Sequence, residues 1–143
     1  MAEEEQQLPS EKEVKQYFVL MAMLAAQKKE LDLLSRKKPD EALNPRKVMM
    51  VNRVLKPLNE IMKHEPSYPF LDVLDDSELP TNSDVVLIIS QYEKAIYQFR
   101  GKYFVKDEYL RISRWMTIEL PPDYYKDRED EFVDDNQDDK WIF

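Results

Sequence analysis

The chain has 143 residues, 43% of them apolar and 35% charged, with a net charge of −8, one glycine, nine prolines and no cysteine. That length suits one ordinary domain with a sizeable core, which argues against global disorder. The missing cysteine excludes a disulfide framework, thiolate chemistry and cysteine zinc sites.

A β-rich fold needs tight turns with φ > 0, which glycine supplies at no steric cost; Gly101 alone favours helices joined by proline-bearing loops. The longest apolar run, Tyr17 to Ala26, is ten residues, where a membrane-spanning helix needs about 20. Met1-Ala2-Glu3-Glu4-Glu5 is acidic where a signal peptide is basic, so a cytoplasmic location, or a nuclear one in a eukaryote, is expected. Charge is unevenly spread: residues 28–63 hold ten basic and five acidic groups, residues 121–143 three basic and nine acidic.

In chain order, Ser10 and Glu13 form a capping box that opens a first helix. Val14, Tyr17, Phe18, Met21, Leu24, Ala25, Leu31 and Leu34 give it one apolar face. Because 17–26 is apolar all round, this helix is expected to be central and contacted on several sides. Lys37-Lys38-Pro39 closes it. Asn44-Pro45 caps and starts a second helix, with a seam of Val48, Val51, Leu55, Leu58 and Met62 and a kink or break expected at Pro57. The two helices form an antiparallel hairpin. Residues 65–82 read as a loop pinned by Phe70, Leu71, Val73 and Leu74. A third helix follows Thr81-Asn82-Ser83, carrying Val85, Ile88, Ile89, Tyr92, Ile96 and Phe99 on one face and stopping at Gly101. Residues 103–120 fit a helix, with 107–117 the preferred span, or a strand. From Pro121-Pro122 acid dominates and apolar periodicity stops.

No catalytic set emerges. His64 is the only histidine, with no second histidine or cysteine to build a metal site or nucleophile pair around it. Asp134, Asn136 and Asp138 have the spacing of a calcium loop, but Asp139 stands where the turn needs glycine. Asp72, Asp75, Asp76 and Glu78 read as ordinary loop acids, and one glycine cannot form a phosphate-cradling loop. No catalytic residue, cofactor or metal is therefore expected.

Three features suit recognition. Leu58, Ile61, Met62, His64 and Ser67-Tyr68-Pro69-Phe70 resemble the end of the first helix and the following loop of a bromodomain. That family's Pro-Met-Asp turn and acetyl-lysine-holding Tyr-Asn pair have no counterpart here, so the resemblance implies no acetyl-lysine site. The basic stretch offers Lys37, Lys38, Arg46, Lys47 and Arg53 as phosphate contacts, although an overall pI near 4.8 opposes generic nucleic-acid binding. Residues 134–143 set Asp138 and Asp139 beside Trp141, Ile142 and Phe143, apolar groups that an acidic tail has no use for unless they are covered. They are similar in kind to the acidic, phenylalanine-tipped end of bacterial single-stranded-DNA-binding proteins, which implies docking to a protein partner.

The expected fold is mainly α: a bundle of three or four helices over 10–120 with an N-terminal helix hairpin and a minor β element left open for 103–120. A disordered stretch 1–9 and a disordered acidic tail 121–143 with a hydrophobic tip flank it. The expected function is a non-catalytic protein-interaction module, an adaptor, regulator or subunit of a larger assembly. Its acceptor is a protein partner or another copy of the chain, with no membrane partner. The alternative is an accessory factor in nucleic-acid transactions, its basic hairpin on phosphates and its acidic tail competing.

Overall fold

The structure, a computed structural model, describes residues 7–126 and 128. It is mainly helical, as expected: helices Glu11–Lys37 (α1), Pro45–Ile61 (α2) and Asn82–Tyr103 (α3), a short 3-10 turn at Tyr68–Phe70, and antiparallel strands Phe104–Lys106 (β1) and Ser113–Trp115 (β2). The helix starts follow their caps. The Glu13 amide donates to Ser10 Oγ and the Ser10 amide to Glu13 Oε1, each at 3.1 Å. The Lys47 amide donates to Asn44 Oδ1 at 2.9 Å, with Pro45 in the first turn of α2. Arg36 and Lys37 end α1 where the helix dipole favours cations.

Two expectations about helix ends are corrected. α2 is not broken at Pro57, so of the kink or break expected there the break is excluded; Arg53, four residues earlier, lies on the exposed face, where water can satisfy the carbonyl that loses its donor. α3 continues through Gly101 to Tyr103, since a glycine in helical conformation lowers stability without terminating the helix.

The chain divides into two compact units. The first is Tyr17–Phe99. Its core is Tyr17, Leu20, Leu24 and Leu31 from α1, Val48, Val51, Leu55, Leu58 and Met62 from α2 and its end, and Val85, Ile89, Tyr92, Ile96 and Phe99 from α3. Tyr17 and Phe99 rings lie 5.2 Å apart, and Gln27 Nε2 donates to the Met50 carbonyl at 3.0 Å across the α1–α2 hairpin. The connector between α1 and α2 zips onto the segment entering α3, through Leu43 N to Pro80 O (2.8 Å) and Asn82 N to Glu41 O (2.9 Å). Loop 65–82 is held by two buried or half-buried amides. Asn52 Oδ1 accepts from the Leu74 amide while its Nδ2 donates to the Leu74 carbonyl, both at 2.9 Å; Asn59 Nδ2 donates to Leu71 O at 2.8 Å. Leu71 and Leu74 are the buried pins, whereas Phe70 and Val73 are exposed, contrary to the sequence reading.

The second unit comprises the described parts of Met1–Gln16 and Arg100–Phe143. The helix preferred over 107–117 is replaced by the β1–β2 hairpin, with Phe104 opposite Trp115. Asp107 decides this: its Oδ1 accepts from the Tyr109 and Leu110 amides at 2.8 and 3.0 Å, and its backbone accepts from the Arg111 amide at 2.8 Å, closing a turn in which Arg111 adopts φ 61°. Packed structure also reaches further than the sequence suggested at both ends. Pro9 accepts from the Ile118 amide at 2.9 Å and Gln7 from the Tyr103 hydroxyl at 3.1 Å. Arg114 Nη2 donates to Pro121 O at 2.8 Å, and Tyr125 is buried.

Candidate functional site

α1, expected to be central and contacted on several sides, leaves part of its apolar run exposed. It buries Val14, Tyr17, Leu20, Leu24 and Leu31 and half-buries Phe18 and Met21, while Val19 is 59% and Met23 53% exposed and Ala22, Ala25 and Ala26 are also exposed. Val19, Met23, Ala26 and Leu33 share one side of α1 with the charged Glu30 and Lys37, together at the 4-3-4-3-4 spacing of a side that meets another helix or an extended chain. Leu33, 47% exposed, continues this stripe toward the helix end.

α2 supplies the opposite wall. Its contribution is Met50, about half exposed, with Lys47 and the buried Val51; Met49 is exposed on α2 outside the groove. Between the helices runs an open groove of about 580 Å³, lined by the apolar Ala26, Leu31, Leu33, Leu34, Met50 and Val51 together with Gln27, Glu30, Lys37 and Lys47. That volume falls in the range of cavities that bury a compact ligand or a bulky side chain. The walls are set by the hairpin itself: the Gln27–Met50 hydrogen bond fixes their separation, and the buried seams beneath them hold both helices rigid.

The electrostatics of the groove are one-sided. Lys37 and Lys47 line it, with Glu30 its single carboxylate. Lys29, Arg36, Arg46 and Arg53 are exposed on the same two helices, and none of these six cations has an ion pair among the described residues. Other basic groups are already engaged. Lys28 Nζ is 2.9 Å from a Glu93 oxygen, and that hydrogen bond raises its pKa against the opposing effect of burial. Lys38 is 3.4 Å from Glu41.

Of the residues singled out from the sequence, Lys37 and Lys47 thus come together at the groove, Arg46 and Arg53 are exposed on α2, and Lys38 is paired with its neighbour. Trp141, Ile142, Phe143, Asp138 and Asp139 lie outside the described residues. His64 and the loop acids Asp72, Asp76 and Glu78 are exposed; Asp75 accepts from the Ser77 hydroxyl and amide, which lowers its pKa. Among the described residues no group of three or more His, Asp or Glu could hold a metal ion.

Val19, Met23, Leu33, Met49 and Met50 were not anticipated as a surface. Their signal was present all the same: an apolar run around a whole helix needs neighbours on every side, and the three helices of the described residues do not provide them. No described helix is long and apolar enough to cross a membrane. No known protein family, characterised protein or solved structure matches the chain.

Proposed function

We propose that this chain is a non-catalytic protein-interaction module, an adaptor or a subunit of a larger assembly, and that it docks its partner on the exposed seam of α1 and α2. One observation carries the reading: large apolar side chains stand open at regular seam spacing on a rigid hairpin, around a groove of about 580 Å³. Single exposed apolar residues are ordinary on any protein surface; several large ones grouped beside a groove, here with Glu30 and Lys37 among them, mark a surface that is covered in use. Methionine strengthens the reading, because its unbranched, polarisable side chain adapts to the shape of a docked segment. The lack of cysteine fits a reducing compartment, which supports a cytoplasmic or nuclear setting.

The unpaired cations on the same helices favour a second reading, an accessory factor that contacts nucleic-acid phosphates through Lys37, Arg46, Lys47 and Arg53. An apolar floor has no use in phosphate contact, so the protein-docking reading takes precedence.

Charge substitution separates the two. Leu33→Glu with Met50→Glu places two carboxylates on the seam at already exposed positions, so the melting temperature stays near that of the parent while a protein partner that co-purifies with the parent is lost. Retention of every partner by the folded variant contradicts the proposal. Oligonucleotide binding that falls steeply with salt, at an unchanged protein complement, supports the second reading instead.

A further inference from the structure

We infer that the occupant of the groove is the acidic, aromatic segment 134–143 of a second copy of this chain; this rests on the docking reading above and specifies its partner. The chemistry of the two surfaces selects it. The groove offers an apolar floor from Leu31, Leu33, Leu34, Met50 and Val51 and two lysines, Lys37 and Lys47, that have no ion pair among the described residues, beside a single carboxylate, Glu30. The complementary ligand carries bulky apolar groups next to several negative charges. Segment 134–143 has four aspartates, Asp134, Asp135, Asp138 and Asp139, one lysine, and the consecutive apolar residues Trp141, Ile142 and Phe143. Those apolar residues bury in the groove while the aspartates lie along Lys37 and Lys47.

The competing way for two copies to associate is face to face, α1 seam on α1 seam. Packed in parallel, that arrangement sets Lys37 and Lys47 of one copy near the same residues of the other, and like charges brought together across an interface oppose association. Segment-into-groove exchange replaces this repulsion with attraction. The apolar part of the contact is insensitive to salt, and the aspartate part weakens as salt rises.

Sedimentation of the full chain, read with two complementary variants, tests the inference. The parent self-associates with concentration. Full chain carrying Leu33→Glu has a damaged groove and an intact segment; full chain carrying Trp141→Ala, Ile142→Ala and Phe143→Ala has the reverse. Each alone is monomeric across the concentrations at which the parent associates, and an equimolar mixture recovers hetero-association. A labelled peptide of residues 134–143 binds the segment-disabled chain saturably, and Leu33→Glu added to that chain weakens binding about tenfold or more, the loss expected when a large apolar contact is replaced by a charge. Met50→Glu serves as the second groove variant should Leu33→Glu not fold.

A parent that is monomeric throughout, a mixture that stays monomeric, or peptide binding indifferent to both groove variants overturns the inference. If the peptide fails while the seam variants still shed a co-purifying foreign protein, the docking reading stands and only its occupant is wrong. If both fail, the reading falls as well.

Discussion

Arg114 and Asp107 are the pair on which the second unit turns. Both are almost fully buried, with Arg114 Nε donating to Asp107 Oδ2 at 2.7 Å. The guanidinium also donates to the carbonyls of Trp115, Leu120 and Pro121, and its carbon lies 5.0 Å from the centre of the Tyr125 ring. Burial works to raise the Asp107 pKa, but the hydrogen bond from Arg114, those from the Leu110 and Tyr109 amides, and the guanidinium charge outweigh it and hold the carboxyl below its usual 3.8. A carboxyl with a depressed folded-state pKa contributes stability above its unfolded value and loses it as pH falls through the folded one. Arg114→Met leaves the carboxylate buried without its cation and costs about 3–5 kcal/mol at neutral pH. Urea unfolding at a series of pH values should show that cost shrinking as pH falls through the pKa of the variant's carboxyl, which burial raises once its cation is gone, and levelling off only below the parent's depressed value, where Asp107 is protonated in both. A gap between parent and variant that stays constant down to acid would show that Asp107 is not the group responsible. Tyr125 behaves oppositely: burial, partly offset by the Arg114 charge, pushes its phenol up to about 12.

Asn52 is the corresponding residue of the first unit. It pairs with both backbone groups of Leu74 as a neighbouring strand would. Asn52→Leu keeps the size and leaves a buried donor and acceptor unmet, at a cost of about 2–4 kcal/mol. Chemical denaturation of the variant checks this. A midpoint equal to that of the parent would mean that water replaces the amide.

At the scale of elements, the chain was legible wherever a local signal and a long periodic pattern agreed. Ser10 with Glu13 and Asn44 with Pro45 mark helix starts, and the α2 seam is buried at all five anticipated positions. Over 103–120 the sequence left helix and strand both open and favoured a helix over 107–117; the turn of the hairpin has no glycine to mark it and uses Arg111 in the left-handed region. Glycine counting therefore missed it. A non-glycine residue there costs roughly 1–2 kcal/mol, and the Asp107 bonds to the turn offset it. Gly101 shows the converse. It lies inside α3, where an added Cβ meets open space, so Gly101→Ala should raise stability by about 0.5–1 kcal/mol. Thermal melting would register the gain, and a loss would imply that glycine is needed there for a reason other than helix propensity.

At the scale of the whole molecule, the sequence pointed to binding through charge and an aromatic segment, and half of the exposed site was visible in it. The cations at 37 and 47 were named; the apolar floor between them was not. An apolar run reads as core when its length is judged alone, and becomes a surface only when the elements available to cover it are counted. The seam is therefore a property of the assembled hairpin, with Tyr17, Leu20 and Leu24 directed inward and Val19 and Met23 left outside on consecutive turns.

Photocrosslinking from the seam tests this most directly, with a photoreactive residue at Leu33 of the full chain and, for comparison, at exposed Glu78, in cells that contain the protein naturally. The docking account predicts a discrete adduct from position 33, lost when Met50→Glu is added and absent from position 78. Adducts of equal yield and identity from both positions, or none from position 33, would contradict it.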